Sequence, residues 1–323
     1  MAARRVVILT EPQGYSPRAV AALDGIGQVV PWREATATPR TLRRAEVLVV
    51  KLGMRISKRV MDRLPALQVI GTSTTGLNHI DMAEAKRRGI QVVSLRGETR
   101  FLKTIFPTAE ETIGLAIMLM RRLPWGFDAV RQGRWQKEKF YGYELAGKTL
   151  GIIGFGRLGS MVARLGRAFG MQVIACDPHV SAGAMRRSIV KKVSMDAVFR
   201  QSDVVSNHVL LTARTHALVK RRHFRLMQPT AYYVNTARGE LNDEQALLEA
   251  LEKKWIAGAA LDVLASEDPK GGHVKSHPLV GYARRHQNLI IVPHLGGATF
   301  ESMAKTEDFI AGKIVREIKK LRE

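Results

Sequence analysis

Three residues that could carry out chemistry each follow a short apolar run of the sequence. They are Arg238 after 231–235, Asp262 after 259–261 and His294 after 289–292. A guanidinium can hold a carboxylate, an imidazole can give or take a proton near neutral pH, and a carboxylate can orient the imidazole. Singly, Arg238 could be a surface cation, Asp262 a helix cap and His294 a core histidine. Together they suit the reduction of a 2-keto acid, or the reverse oxidation.

A glycine-rich loop supplies a candidate cofactor site. It consists of Gly154, Phe155, Gly156, Arg157, Leu158 and Gly159. The spacing Gly-x-Gly-x-x-Gly is weak evidence alone, but here it lies between an apolar, strand-like run and a helical stretch. Gly154 then permits a tight turn, Gly156 lets the backbone approach a pyrophosphate, and Gly159 lets the helix pack on the sheet. The loop predicts a bound dinucleotide whose phosphates face the first amides of the helix.

An acidic residue completes this pattern. Asp177 ends the next apolar run, 18 residues after Gly159. Its carboxylate can accept hydrogen bonds from both ribose hydroxyl groups and would repel the additional phosphate of NADP. We therefore expect the cofactor NAD. The alternative is that Asp177 and Pro178 form an ordinary turn.

Apolar runs that alternate with amphipathic stretches predict the elements that position these residues. The runs form two series, 6–9, 47–50, 69–70 and 92–93, then, after a helical stretch from 107 to about 123, 149–153, 172–176, 204–207, 231–235, 258–261 and 289–292. Such alternation predicts parallel βαβ units, and two series predict two doubly wound sheets. A final helix is predicted over 299–321, with an apolar stripe of Phe309, Ile310, Ile314, Ile318 and Leu321.

The composition fits a globular chain of two domains, with 323 residues of which 46% are hydrophobic and 25% charged. The single cysteine, Cys176, excludes a disulfide framework and a multi-cysteine metal site, and we expect no metal. No apolar run approaches the roughly 20 residues of a membrane span. The N-terminus passes straight into a strand-like run without a targeting signal. We therefore expect a cytoplasmic protein that does not act at a membrane.

The chain is strongly basic, with a formal net charge of +22. Such a charge attracts anionic ligands, nucleic acid and anionic lipid without recognising any of them. The lysines and arginines are scattered, and no aromatic stacking platform or finger motif accompanies them. We interpret the charge as solvated surface and expect no specific nucleic-acid partner, although the sequence gives no reason for the excess.

The sequence resembles the D-isomer-specific 2-hydroxyacid dehydrogenases, the family of phosphoglycerate dehydrogenase and hydroxypyruvate reductase, over nearly its whole length. The segments that carry the resemblance are 71–81, 108–110, 154–159, 235–240, 259–269 and 293–297. The resemblance implies an α/β fold of two doubly wound parallel-sheet domains. A Rossmann-type NAD-binding domain, 106–295, is then inserted into a flavodoxin-like substrate domain, 1–105 and 296–323, with the active site in the cleft between them.

The resemblance also implies roles for single residues. Arg238, Glu267 and His294 match the family's catalytic arginine, glutamate and histidine. Glu267 keeps the expected spacing of five residues from Asp262, although Asp268 then stands as an insertion before Pro269. Further contacts are implied to the cofactor for Thr236 and Asp262, and to the substrate for Lys51, Thr74, Thr75 and Gly76.

The implied reaction transfers a hydride between NAD(H) and C2 of a D-2-hydroxy acid or 2-keto acid, with His294 as acid or base. The family also suggests a homodimer formed through the cofactor domain. The alternative is an NAD(H)-sensing interaction protein, because the carboxy-terminal-binding-protein corepressors resemble this family and can keep all three catalytic residues. Lys51 and Leu52 stand where the family often has arginine and serine, so the substrate and the preferred direction stay open. The chain ends after one amphipathic helix, and we expect no appended regulatory domain.

Overall fold

The structure is a computed structural model that describes residues 4–268 and 271–321, so Pro269 lies outside the described residues. It divides into two compact units, Met1–Ile105 with Thr299–Glu323, and Phe106–Ala298. The second unit is thus inserted into the first. The sequence predicts domain limits at 105/106 and 295/296. The first coincides with this division, and the second lies three residues before it.

The first unit is built on a sheet of five parallel strands. They are β1 (Val6–Leu9), β2 (Gln28–Pro31), β3 (Ala45–Val50), β4 (Val69–Thr72) and β5 (Gln91–Val93). Their order in the sheet is β2-β1-β3-β4-β5, the flavodoxin-like arrangement. The strands between the edges are largely apolar because helices cover both faces of a parallel sheet.

Short helices connect these strands. They are α1 (Pro17–Asp24), α2 (Trp32–Ala37), α3 (Pro39–Arg43), α4 (Lys58–Asp62), α5 (Met82–Arg87) and α6 (Thr99–Leu102). Ser16 and Asp81 cap the first and fifth of them, since their side chains accept hydrogen bonds from the amides of Ala19 and Glu84.

The second unit begins with two helices and continues as a seven-stranded parallel sheet. Its elements are α7 (Pro107–Met120), α8 (Leu123–Arg131), β6 (Thr149–Ile153), α9 (Arg157–Ala168), β7 (Gln172–Cys176), α10 (Ala182–Arg187), β8 (Lys191–Lys192), α11 (Met195–Gln201), β9 (Val204–Asn207), α12 (Arg221–Phe224), β10 (Tyr232–Asn235), α13 (Glu244–Glu252), β11 (Gly258–Leu261), α14 (Pro278–Ala283) and β12 (Leu289–Ile291). Short 3₁₀ turns occur at Lys137–Phe140, Gly239–Leu241 and Gly272–Lys275.

The strand order of this second sheet is β12-β11-β10-β9-β6-β7-β8. The chain runs outward from β6 to one edge and then returns to β9 on the other side of β6. This reversal is the topological switch point at which Rossmann-type sheets bind dinucleotides. The predicted fold class, two doubly wound parallel-sheet domains, is confirmed.

Helix α7 lies across the strands that lead to the candidate catalytic residues, packing on β10, β11, β12 and α9. Pro107 occupies its first turn, where the missing amide hydrogen costs nothing. Because sheet and helix contact it from different sides, the helix is apolar over most of its surface rather than along one stripe.

The chain returns to the first unit as α15 (Phe300–Lys320), which Thr299 caps by accepting a hydrogen bond from the amide of Ser302. Ile310, Ile314 and Ile318 are buried, as the predicted stripe requires, whereas Leu321 is exposed. The helix approaches β4 so closely that a side chain on Gly71 would collide with Ile314. Among the described residues, no helix is both long and apolar enough to cross a membrane.

Candidate active site

The glycine-rich loop follows β6 and leads into α9, as the sequence predicts. Gly154 has φ +87°, a conformation that favours glycine. A Cβ on Gly159 would fall well inside 3.0 Å of the carbonyl oxygen of Gly154, so only glycine lets α9 start there. Phe155 is buried beneath the loop, and Leu158 packs against the core.

The loop has the shape that a dinucleotide requires. Gly156 is the N-cap of α9, and no atom of the described chain lies within 4 Å of the position that its Cβ would take. A pyrophosphate can therefore approach the backbone at Gly156 and meet the amides of the first helical turn, which begins at Arg157. The residues present thus fit the phosphate portion of NAD.

Asp177 braces the same loop from the end of β7. Its Oδ2 accepts a hydrogen bond from the amide of Phe155 at 2.9 Å, and its Oδ1 accepts one from the amide of His179 at 2.8 Å. Each carboxylate oxygen can accept more than one hydrogen bond, so the half-buried group can also receive ribose hydroxyl groups. Its negative charge favours NAD over NADP at this position.

His294 and Glu267 form a direct pair. The distance between His294 Nδ1 and Glu267 Oε2 is 2.6 Å, and the other carboxylate oxygen, Oε1, accepts a hydrogen bond from the amide of Leu264 at 2.9 Å. Burial alone would raise the pKa of Glu267. The hydrogen bond and charge of His294, the Leu264 amide and the charge of Arg238 outweigh burial and lower that pKa. Glu267 is therefore an ionised acceptor for the imidazole at neutral pH.

Arg238 follows β10 in the segment that packs against the Glu267 loop. One of its guanidinium nitrogens, Nη1, donates to the carbonyl oxygen of Ala237 at 2.6 Å. Asn235 fixes the turn, because its side-chain amide donates to the carbonyl oxygen of Arg238 at 2.9 Å. The remaining N–H groups of the planar guanidinium suit a carboxylate. The charge of Arg238 also acts on Glu267, which places all three predicted catalytic residues in one cluster.

Asp262 holds the backbone around His294. It is 1% exposed, and its two carboxylate oxygens accept hydrogen bonds from the amides of Leu295 and Gly296. The amide of His294 donates to the carbonyl oxygen of Asp262 at 2.9 Å. These contacts stabilise a left-handed conformation at His294, φ +53°, which is uncommon for a residue with a side chain.

Thr236 is buried between β10 and α7. Its hydroxyl group lies 2.8 Å from the hydroxyl group of Thr112. This bond ties the end of the strand to the helix. The cofactor contact expected for Thr236 stays a prediction.

The predicted substrate residues belong to the first unit. Thr74 Oγ1 donates to the carbonyl oxygen of Gly76 at 2.7 Å and lies 3.0 Å from the hydroxyl group of Thr72, so the loop after β4 is internally braced. Lys51 has a structural partner: its Nζ lies 2.6 Å from Oε1 of Glu307, a side chain that is 1% exposed. The sequence analysis did not predict that partner.

The sequence analysis also missed Glu111. This residue lies on α7, and its Oε2 is buried with no hydrogen-bond donor among the described residues. The signal that could have identified it is its place on the apolar face of the helix, three residues after Thr108 and four before the buried Leu115.

Comparisons with known proteins agree with this geometry. Residues 113–296 match the D-isomer specific 2-hydroxyacid dehydrogenase, NAD binding domain, and residues 6–100 match the catalytic domain of the same family. The chain belongs to this family. Its glycine-rich loop and Asp177 thus lie within the stretch that matches the family's NAD binding domain.

The chain is about one third identical to individual members of this family. The chain is 34% identical over 279 residues to D-3-phosphoglycerate dehydrogenase of Methanocaldococcus jannaschii. The aligned region covers 86% of this chain but only 51% of that protein. It thus spans about half the length of the phosphoglycerate dehydrogenases that it matches. It is 31% identical over 296 residues to glyoxylate reductase of Thermococcus litoralis, covering 88% of this chain and 85% of the relative.

A solved structure is similar over both units. D-lactate dehydrogenase from Aquifex aeolicus, complexed with NAD and lactic acid, superposes with a TM-score of 0.82 at 27% identity, covering 98% of this chain and 96% of the other. The family and the fold are therefore the same over essentially the whole described chain.

Proposed function

We propose that this protein is an NAD-dependent D-2-hydroxyacid dehydrogenase that interconverts a small 2-keto acid and its D-2-hydroxy acid. The observation that carries the proposal is the 2.6 Å contact between His294 Nδ1 and Glu267 Oε2. Arg238 lies in the same cluster, at the strand ends of the sheet that carries the NAD loop. None of the relatives named above is a corepressor, and no feature of the described chain favours that alternative.

The chain's own residues account for the movement of the proton. Because Glu267 is ionised, it accepts a hydrogen bond from Nδ1–H of the imidazole, which leaves Nε2 to face the reacting oxygen. In reduction, His294 donates its Nε2 proton to the oxygen on C2, and in oxidation it accepts that proton. Glu267 stabilises the positive charge that the ring carries before donation. NAD(H), when bound, supplies or takes up the hydride.

Arg238 binds and polarises the substrate. A guanidinium presents two parallel N–H groups, which match the carboxylate of a 2-keto acid and can also reach its carbonyl oxygen. The positive charge stabilises the oxygen as it gains negative charge in reduction. Without this group, the cluster would hold a proton donor but nothing to orient a small acid.

Residues of the first unit provide the remaining predicted substrate contacts. Among residues 4–268 and 271–321, nothing accepts a hydrogen bond from the backbone amides of Thr75 or Gly76, which suits them to a carboxylate. Thr74 braces the loop that presents them. A direct contact from Lys51 would require its ammonium group to be shared with Glu307.

The second unit carries an exposed apolar surface that supports the predicted homodimer. This surface consists of Phe127, Val130, Trp135, Tyr141 and Tyr143, and Trp135 is 86% exposed. Exposed apolar side chains concentrated in one stretch of chain, 127–143, suit a protein contact. We expect light scattering to give the mass of a dimer, and Phe127→Ser with Trp135→Ser to give that of a monomer. Phe169→Ser, which removes an exposed aromatic ring elsewhere in the unit, is the control.

The activity is tested by following NADH oxidation with glyoxylate, hydroxypyruvate, pyruvate, phosphonooxypyruvate and bulkier 2-keto acids. Turnover of at least one of them, with a product of D configuration where C2 is a stereocentre, is the expected result. NADH binding without turnover on the whole panel would refute the proposed activity while leaving the cofactor site intact.

A further inference from the structure

Two carboxyl groups meet beneath the loop that carries His294. An ideal Cβ at Gly296 would lie 3.0 Å from Oδ2 of Asp262 and 3.0 Å from Oε2 of Glu111, so both oxygens flank the same piece of backbone. Each carboxyl group also acts on the pKa of the other. Asp262 comes from the end of β11 and Glu111 from α7, so this contact joins the helix to the active-site loop.

A proton must lie between these groups. Two ionised carboxylates this close together and shielded from water repel each other strongly, so one of the two is protonated. Asp262 receives the amides of Leu295 and Gly296, which stabilise its ionised form. Glu111 Oε2 receives no donor among the described residues. The proton therefore resides on Glu111.

The charges around the pair agree with this placement. Among the charged groups on elements that pack against α7, Asp262 after β11 raises the pKa of Glu111. His294 after β12 lowers the pKa of Asp262 and so favours its ionised form. Two cations on the same elements have other partners. Arg238 after β10 lowers the pKa of Glu267, and Arg164 on α9 lies over the ring of Phe106. Burial, then the charge of the neighbouring Asp262, raise the pKa of Glu111 to about 8.

We infer that Glu111 is a positioning residue of the active site, which as a neutral acid donates a hydrogen bond to Asp262. Asp262 in turn holds the amides of Leu295 and Gly296 and thereby the left-handed backbone at His294. Loss of the proton places two negative charges side by side and loosens that loop. Orientation of the imidazole is thus controlled from α7 by a group that does not touch the substrate.

The matched variants are Glu111→Gln, which keeps a neutral donor of the same shape, and Glu111→Ala, which removes it. Glu252→Gln is the control, because Glu252 is an exposed glutamate on α13 in the same unit. A protonated carboxyl group has its own C=O stretching band in the infrared spectrum. We expect that band in the wild type below pH 8, its disappearance above about pH 8, and its absence from Glu111→Gln at neutral pH.

Thermal and chemical unfolding give a second readout that needs no substrate. The folded pair keeps its proton up to about pH 8, whereas an unfolded glutamate loses it near 4.5. Between these pH values the folded state binds more protons, so its stability falls as the pH rises. The unfolding constant of the wild type, relative to that of Glu111→Gln, should rise by up to about tenfold per pH unit in this window and level off above it.

The kinetic readout rests on the proposed function, whereas the spectroscopic and unfolding readouts do not. We expect kcat of the wild type to lose an additional factor above about pH 8 that Glu111→Gln does not lose. Glu111→Ala should lower kcat at every pH, and the glutamine variant should restore it. Identical infrared spectra and parallel pH curves for the wild type and Glu111→Gln would overturn the inference.

Discussion

Gly239 packs against Leu264 with no room for a side chain. An ideal Cβ on Gly239 would fall well inside 3.0 Å of both the carbonyl carbon of Leu264 and the amide nitrogen of Ala265, and neither backbone atom can move independently. This contact joins the Arg238 segment to the Glu267 loop. Gly239→Ala should therefore separate the catalytic residues and cost about 1–3 kcal/mol or more of stability. Urea unfolding and kcat/KM measure the two effects.

Gly114→Ala is the control for this prediction, because a Cβ on Gly114 meets nothing within 4 Å and the residue lies inside α7. Alanine there should be neutral or stabilise the helix by up to about 1 kcal/mol. Equal unfolding midpoints for the two variants would contradict the packing argument.

The fold is largely readable from the sequence, and the strands that were missed have a physical explanation. β2 and β8 are edge strands of their sheets, and neither has a long apolar run. β8 consists of Lys191 and Lys192, charged residues that protect an edge from further pairing but resemble a surface loop in sequence. Buried central strands, in contrast, are apolar on both faces and therefore give a strong signal.

The candidate site likewise contains residues that the sequence predicts and residues that it does not. Residues at strand ends, such as Arg238 and His294, can be predicted because parallel strands end at one edge of the sheet. Pairings made by tertiary packing cannot be predicted in this way. Glu111 lies near Asp262, and Lys51 contacts Glu307, only because a helix packs on each sheet. Nothing in the local sequence of these carboxylates specifies a partner so far along the chain.

Gly156 and Gly159 should respond differently to alanine, although both belong to the same loop. A Cβ on Gly156 meets no protein atom, so Gly156→Ala should keep the wild-type melting temperature but weaken NADH binding by filling the space for the pyrophosphate. A Cβ on Gly159 would collide with the carbonyl oxygen of Gly154, so Gly159→Ala should lose both stability and binding. Differential scanning fluorimetry and NADH fluorescence titration separate the two. A wild-type NADH affinity in Gly156→Ala would argue against this binding mode.

His294→Asn should remove acid–base catalysis with little other change. Asparagine tolerates the left-handed backbone found at this position, so the loop should keep its form. We expect kcat to fall by about 10²- to 10⁴-fold while the Kd for NADH changes little. His216→Asn, at an exposed histidine of the same unit, is the control. Full activity in His294→Asn would exclude the assigned role.

Glu267→Gln tests the partner of that histidine through its pH dependence. The pKa of Glu267 is lower when folded than its ordinary value of 4.5, despite burial, chiefly because His294 bonds to it. Its carboxylate therefore stabilises the folded state above pH 4.5, and this contribution is lost as the pH falls through the lowered pKa. Urea unfolding should show that the stability advantage of the wild type over Glu267→Gln shrinks as the pH is lowered below 4.5. A constant difference would mean that the pair contributes nothing to folding.

Lys51 has two candidate roles, in structure and in substrate binding, and the pairing with Glu307 allows them to be separated. Glu307 is buried, and its Oε2 accepts a hydrogen bond from the amide of Ser16 at 2.6 Å while Oε1 faces the lysine. Lys51→Met leaves a buried carboxylate without its cation, which typically costs about 3–5 kcal/mol. We expect a clear drop in melting temperature for that single variant.

The double variant Lys51→Met with Glu307→Gln should recover most of this stability, because glutamine still accepts from Ser16 and carries no charge. Its kinetics then report on the substrate alone. If Lys51 also attracts the acid, KM for the keto acid rises while the Kd for NADH and the melting temperature stay close to the wild type. If Lys51 serves only Glu307, KM is unchanged in the double variant. An unchanged melting temperature in Lys51→Met would instead remove the structural role and leave substrate binding as the reason for the lysine.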